Sequence, residues 1–370
     1  MKILLLASGK DIHSVRWANQ LSKNGNVVHL CYVSDHKPSL DKFNPNIFLH
    51  ELKFKSPYGY YLNVSQLKNI INYVKPDIFN AHYASGYGTL GRMCNFSPYM
   101  LSVYGSDVYD FPYKRKINMQ IIKKNLKSAN VITSTSHSMA NQVTRLIDIP
   151  LEKIYTVPFG VDITKFRKKN TEKESNQIVI GSVKKLSPKY GIKYGILAVH
   201  HLVKELLRDK KEKTRIRYLI YGEGKERNTL KKLVEECKLQ DIVEFKGRIP
   251  NNMVPNALNN LDIFLGTSVL DSESFGVAIV EAMACEVPVI VTDVDGFKEV
   301  VDEGAAGIIV PRKDYKEMGK QIFNIINNPK KRIELGRIER IRVIKHYNWM
   351  ENVKKMETIY NKAIEIFQIK

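Results

Sequence analysis

The sequence predicts an α/β fold made of two Rossmann-like domains facing across a cleft, and three observations predict it. Short apolar, β-branched runs alternate with longer amphipathic segments along nearly the whole chain, the pattern of parallel sheets wound with helices. A length of 370 residues suits two domains of ordinary size. The sequence also changes character once, where Pro158-Phe159-Gly160-Val161-Asp162 leads into a charged, apolar-poor stretch over residues 165–177, the natural interdomain linker. The expected division is a first Rossmann-like domain over 1–165, a second over 166–348, and a C-terminal helix over 349–370 that packs back on the first domain.

In order, residues 2–7 form a first buried strand, and Ser8-Gly9-Lys10 leads into a helix over 13–23 stopped by Asn24-Gly25. A strand over 27–33, a helix over 64–73 and a strand over 77–81 follow. His82-Tyr83 ends that strand, ahead of the glycine-rich Ser85-Gly86-Tyr87-Gly88. Strands over 99–103, 131–134 and 154–157 complete the first sheet. In parallel sheets ligands collect beyond the carboxyl ends of the strands, which gathers Ser8, Gly9, His82, Tyr104 to Asp107, and Ser136-His137 along one edge. The second series runs from a strand over 177–183 through a helix over 192–208, a strand over 217–221, the loop Gly222-Glu223-Gly224 and a helix reaching about Cys237. Strands over 242–245, 263–266, 287–292 and 307–310 finish it.

Composition narrows the class. Hydrophobic residues are 44% of the chain, enough for real cores, and no apolar stretch approaches the roughly 20 residues of a membrane span. The opening MKILLLA is too short for a signal peptide and reads as a strand, so a cytoplasmic protein is expected. Cys31, Cys94, Cys237 and Cys285 show no paired spacing and read as small core residues in a reducing compartment. The net charge is +20. Residues 1–170 carry 23 Lys and Arg against 10 Asp and Glu, the remainder 35 against 28, so the first half is the more basic. Lys114-Arg115-Lys116, Lys123-Lys124 and Arg167-Lys168-Lys169 could meet an anionic membrane face, a phosphate-bearing substrate or plain solvent. No zinc-finger, RNP-type or basic-zipper pattern accompanies them, and nucleic acid is not an expected partner.

Residues 270–292, LDSESFGVAIVEAMACEVPVIVT, carry most of the chemistry. Two carboxylates, Glu273 and Glu281, are separated by seven residues. Ser274-Phe275-Gly276 opens an apolar run that suits a buried helix closed before Pro288. Eight helical positions span about 12 Å. That is too far for two acids flanking one scissile bond, whose carboxyls sit about 5 to 10 Å apart. One elongated ligand held at both ends fits better, with amides at the helix start facing its polar middle. An acid inside so apolar a segment is costly unless bonded to something. Lys184 and Lys189, in VKKLSPKYG after the first strand of the second half, can sit at the same carboxyl edge. Two fixed ammonium groups can hold a diphosphate and stabilise its charge as it leaves. No carboxylate pair stands beside them to hold Mg²⁺, so neither a metal nor a resident cofactor is expected.

On these residues the chain resembles glycosyltransferase family 4, the retaining nucleotide-sugar transferases of the two-domain GT-B fold, over nearly its full length. The resemblance rests on Glu273-Ser274-Phe275-Gly276 with Glu281-Ala282-Met283-Ala284, and on Lys184 and Lys189 before Gly191. Pro158 to Asp162, Gly222-Glu223-Gly224, and Pro288-Val289-Ile290 with Gly296 and Glu299 support it. It implies that Glu273 and the Phe275 and Gly276 amides hold donor-sugar hydroxyls, Glu281 the ribose, and Lys184 with Lys189 the diphosphate, with residues near Arg248-Ile249 framing the base. Ser8, Gly9, Gly222 and Ser274 join the expected donor contacts. His13, Arg16 and Trp17 resemble the family's acceptor-facing segment.

Two departures stand out. Lys184 replaces the family's usual Arg, keeping charge but losing the bidentate fork. Tyr104 stands where many relatives carry a His, which leaves His82, Tyr104 and Asp107 as competing acceptor-side candidates. The expected activity is metal-independent, retaining transfer of a hexose-type unit from a nucleoside diphosphate sugar, UDP-linked by expectation, to a hydroxyl. The expected acceptor is a lipid-linked saccharide of surface polysaccharide assembly at the inner membrane face. The alternatives are a sugar-nucleotide 2-epimerase and a nucleotide-sugar-binding, non-catalytic partner subunit. A dinucleotide oxidoreductase fits less well, because Ser8-Gly9-Lys10-Asp11 lacks G-x-G-x-x-G.

Overall fold

The computed structural model describes residues 1–170, 176–206 and 215–368. The chain forms two compact units, one of residues 1–159 and 350–370 and one of residues 160–349. The change from the first unit to the second thus comes at Phe159, six residues before the expected boundary. Part of the expected linker, residues 171–175, lies outside the described residues. The segment beside it is held by Arg340, whose guanidinium donates to the carbonyls of Ile163, Phe166 and Ala284.

The first unit is a seven-stranded parallel sheet of β1 (Lys2–Leu6), β2 (Val27–Val33), β3 (Phe48–Leu52), β4 (Ile78–His82), β5 (Tyr99–Ser102), β6 (Val131–Ser134) and β7 (Ile154–Thr156). Its order is β3-β2-β1-β4-β5-β6-β7. β1 is buried from Ile3 to Leu6 because it runs between two strands and under helices on both faces, which is why it reads as continuous apolar sequence. β3 was not expected. It pairs only with β2, and its residues FLHEL lack a clean alternation, with Phe48 54% exposed.

The first helix follows the expected logic of cap and stripe. Ile12–Lys23 begins where the Asp11 carboxylate accepts the Ser14 N–H, and it buries Trp17, Ala18 and Leu21, which share one face. The C-terminal helix, Trp349–Gln368, belongs to this unit from Met350 onward. Tyr360 is buried in it and its hydroxyl accepts from Asn80 Nδ2 at 2.8 Å, while Glu357 accepts from Asn24 and Asn26.

The second unit is a six-stranded parallel sheet of β8 (Gln177–Val183), β9 (Arg215–Tyr221), β10 (Val243–Gly247), β11 (Ile263–Gly266), β12 (Val289–Thr292) and β13 (Ile308–Val310), ordered β10-β9-β8-β11-β12-β13. The predicted helix over 192–208 is an α-helix, Ile192–His201, that continues as a π-turn over Leu202–Leu206. Residues 207 and 208 lie outside the described residues. In both sheets the strand order reverses once, between β1 and β4 and between β8 and β11, and crevices at the carboxyl ends open at such reversals.

Cys31, Cys94 and Cys285 are buried and all four cysteines are free. Burial pushes the thiols of Cys94 and Cys285 up to about 12, which leaves them inert packing residues at neutral pH. Among the described residues no helix is long and apolar enough to cross a membrane.

Candidate functional site

The second sheet reverses between β8 and β11, and the loops leaving those two strands hold the chemistry. Lys184 follows β8 directly and Glu273 lies in the loop after β11. Lys184 Nζ donates to Glu273 Oε1 at 2.7 Å. The Glu273 side chain is only 10% exposed and that of Lys184 25%, so the pair sits in a partly desolvated crevice where charge acts strongly. Lys184 also lies over the Tyr190 ring, 4.7 Å from its centroid, and Lys189 lies 5.5 Å from the same centroid. Both lysines thus cluster on one aromatic ring. Their loop is stitched to the β11 loop twice, by Val269 N–H donating to the Lys189 carbonyl and Thr267 Oγ1 to the Tyr190 carbonyl.

Glu273 is not on a helix. The helix is Val277–Ala284, with Gly276 in a left-handed conformation (φ +88°) before it and no side-chain cap. The separation estimated for eight helical positions therefore does not apply, since only residues 277–281 are helical. Glu281 is half-buried on that helix, whose uncapped first amides face the loop from Glu273 to Gly276. Ser272 Oγ, beside Glu273, is buried and has no hydrogen-bond partner among the described residues. A small cavity of about 20 Å³, room for about one water, is lined by Lys184, Tyr190, Ser268 and Gly276.

Three supports fix this geometry. Gly222, expected as a donor contact, packs closely on the backbone of Lys184. A Cβ built there would lie 1.8 Å from the Lys184 carbonyl oxygen, and its φ is +144°. The β9 loop can thus bond to the β8 loop, Lys184 N–H to Tyr221 O and Leu186 N–H to Glu223 O. On the other side Arg312, just past β13, grips Asp271 through Nη1 and Nη2 (3.1 and 3.0 Å) and Asp293 through Nε at 3.0 Å. Asp271 stands two residues before Glu273, so this guanidinium braces the loop that carries it. Burial alone would raise the Asp271 carboxyl, but the Arg312 bonds hold it below the usual carboxylate value. Finally, a Cβ on Gly296 would lie 2.3 Å from the Ser274 carbonyl carbon, which shows how closely that loop is packed from behind.

Arg312, Asp271, Asp293 and Ser272 were missed in sequence reading. They come from three loops with no shared spacing, and only the nearness of Asp271 and Ser272 to the Glu273 motif hinted at two of them. Arg248 is exposed and Ile249 half-buried, directly after β10 on the same carboxyl edge.

In the first unit Ser8 and Gly9 follow β1 and His82 ends β4, at the other reversal. Gly9 packs on Pro38, 2.7 Å from where its Cβ would stand. His82 is 1% exposed, and its Nδ1 is 3.0 Å from the Tyr104 hydroxyl. Burial lowers it to about 4, so it is neutral at physiological pH. Asp107 is 2% exposed, with Oδ2 accepting from Ala84 N–H and Oδ1 from Tyr104 and Gly105 N–H. Asp107 thus ties the β5 loop to the β4 loop, and His82 holds Tyr104. Tyr104 also packs 5.0 Å from the Phe159 ring, on which His13 stacks at 3.7 Å. Among the described residues no group of three or more His, Cys, Asp or Glu is placed to hold a metal ion.

Two family models match the chain: Glycosyl transferases group 1 over residues 162–342 and Glycosyl transferase 4-like over residues 2–136. The chain is 25% identical to N-acetyl-alpha-D-glucosaminyl L-malate synthase of Bacillus anthracis, over 95% of this chain and 93% of that one. It is 33% identical to the putative colanic acid biosynthesis glycosyltransferase WcaL of Escherichia coli, over 47% of this chain and 42% of that one. Among solved structures, HepE of Anabaena in complex with UDP superposes with a TM-score of 0.82 at 16% identity, covering 98% of this chain and 100% of that one.

Proposed function

The chain belongs to the family 4-type glycosyltransferases of group 1, with the GT-B fold, and we propose that it transfers a hexose-type unit from a UDP-linked sugar to a saccharide hydroxyl with retention and without a metal ion. The observation that carries this reading is the Lys184–Glu273 contact at the reversal of the second sheet. In a nucleoside diphosphate sugar the phosphate and the transferred ring are adjacent. A cation for the first and a carboxylate for hydroxyls of the second must then sit side by side, as these two do.

An ammonium has three donors, so Lys184 can keep Glu273 and still reach a phosphate oxygen. Lys189, beside the same Tyr190 ring, supplies a second positive charge. Together they stabilise the negative charge that grows on the departing diphosphate. Ser272 Oγ and the uncapped amides after Gly276 offer polar contacts to the sugar and phosphate, Glu281 a carboxylate for the ribose, and Arg248-Ile249 a frame for the base. The acceptor approaches the sugar face from which the nucleotide leaves, and an oxygen of the leaving diphosphate takes the acceptor proton. Glu273 is then an orienting group. The UDP complex of the Anabaena protein supports a uridine donor.

The acceptor in this reading is a lipid-linked saccharide used in polysaccharide assembly at the cytoplasmic face of a membrane. The naming of the E. coli relative for colanic acid biosynthesis supports it. So do two groups of exposed apolar residues beside basic ones in the first unit, Tyr58, Tyr61 and Leu62 near Lys53 and Lys55, and Tyr113 and Ile117 around Lys114-Arg115-Lys116.

Thermal-shift measurement against a panel of nucleotide sugars in EDTA tests the donor: uridine-linked sugars should raise the melting point most. A guanosine-linked donor giving the largest shift, or binding that needs a divalent ion, overturns that part. Product NMR should show the donor's anomeric configuration kept, and an inverted product excludes the mechanism. Accumulation of a 2-epimer in acceptor-free buffer would make the enzyme an epimerase instead. Sedimentation with anionic vesicles should be salt-sensitive, and no retention at low salt removes the membrane from the reading.

A further inference from the structure

The second unit has another recess, on the opposite edge of its sheet. It lies against Asp262 and Pro288, the residues directly before β11 and β12, whereas Lys184 and Glu273 lie beyond the carboxyl ends. Its volume is about 450 Å³, within the range of small-molecule sites. The basic cluster Arg167-Lys168-Lys169, which the donor site does not use, contributes two of its walls and Arg332 a third.

The charges there are unevenly matched. Glu286 is met by Lys168 Nζ at 3.3 Å, and Asp262 Oδ2 accepts the Val179 N–H at 2.8 Å. Lys169 Nζ donates to a neutral group, Asn256 Oδ1 at 3.0 Å, among the described residues. Arg332 Nη1 is buried and has no hydrogen-bond partner among the described residues. A buried donor on a charged group is costly to leave unmet. Lys169 and Arg332 both line the recess, and an anion with several acceptor oxygens suits a guanidinium and an ammonium lining one recess. Leu261, Val287 and Ile333 add apolar wall for the rest of such a molecule.

We propose that this recess binds a soluble phosphorylated small molecule, a phosphate monoester or diphosphate in class, with Arg332 and Lys169 as its phosphate donors. The proposal does not depend on the donor reading, because the two sites share no residue.

Inorganic pyrophosphate is the probe, followed by isothermal titration calorimetry on the full chain. The wild type should show two classes of site. Lys184→Ala should abolish or weaken the donor-site class and leave the other. Arg332→Gln and Lys169→Gln should each weaken the other class at least tenfold and spare the one sensitive to Lys184. Removing a half-buried cation with an unmet Nη1 should also leave the melting point of Arg332→Gln, without pyrophosphate, equal to or above that of the wild type. Isotherms of Arg332→Gln and Lys169→Gln that superpose on the wild type, or loss of all binding in Lys184→Ala, overturn the proposal. Should Arg332→Gln fail to fold, Lys169→Gln alone decides it.

Discussion

Lys184 and Glu273, 89 positions apart in sequence, meet at 2.7 Å as the central ion pair of the candidate site. Each is the other's partner in a crevice where Glu273 is nearly buried. Removing one charge therefore leaves the other partly buried and unpaired. Lys184→Ala should cost about 1–3 kcal/mol of stability as well as donor affinity. Lys184→Met with Glu273→Gln together should cost less than the sum of the single changes, because no orphan charge remains. Urea unfolding of the four proteins measures the coupling, and additive effects would mean that the pair does not hold in solution.

The backbone beneath Lys184 gives a second expectation. At Gly222 a Cβ would lie 1.8 Å from the Lys184 carbonyl oxygen, and the positive φ adds strain for any other residue. Gly222→Ala should destabilise by about 1–3 kcal/mol and weaken donor binding by moving Lys184. Gly25→Ala has an open site and a positive φ but lies far along the chain from the donor loops, so it should lose stability with donor affinity unchanged. Equal donor affinity in Gly222→Ala and wild type would refute the positioning role of this contact.

Much of the fold was legible because parallel strands buried on both faces announce themselves as apolar runs. β2, β6, β8 and β11 fall on the expected residues. β3 was not legible, since an edge strand with one neighbour and an exposed Phe48 has little burial to impose a pattern. In the site, Lys184 and Glu273 could be read as partners at one edge because each follows a recognisable strand. The packing of His82, Asp107 and Gly222 could not be read. A residue at a strand end looks the same in sequence whether or not it ties two loops together, and the backbone bonds of Asp107 and the close approach at Gly222 emerge only in the fold.

Arg312 should behave as a positioning residue. Its guanidinium joins Asp271 and Asp293, and Asp271 also accepts the Asp295 N–H at 3.2 Å. Arg312→Gln should lower kcat/KM by roughly 10- to 100-fold, about 1.4–2.7 kcal/mol in transition-state stabilisation. Arg312→Lys should recover only part of this, because a point charge cannot span both carboxylates. A merely structural role would lower the melting point of both variants without changing kcat/KM at a temperature where they are folded.

His82 gives the expected pH dependence. Its folded pKa is lowered by burial to about 4, against 6.5 for the ordinary side chain. Between those values the unfolded chain binds a proton that the folded chain does not, so stability rises with pH across that window and falls on acidification through it. At about 1.4 kcal/mol for each pH unit, complete passage would remove roughly 3 kcal/mol. His29, also lowered to about 4 by burial and by its neighbours His50 and Lys2, adds a parallel contribution in the wild type. The His82 share is therefore isolated by comparison with His82→Gln, which can still hydrogen-bond Tyr104 but does not titrate. Urea midpoints between pH 4 and 7 should fall less steeply toward acid in that variant, and parallel curves would show that His82 is protonated equally in both states.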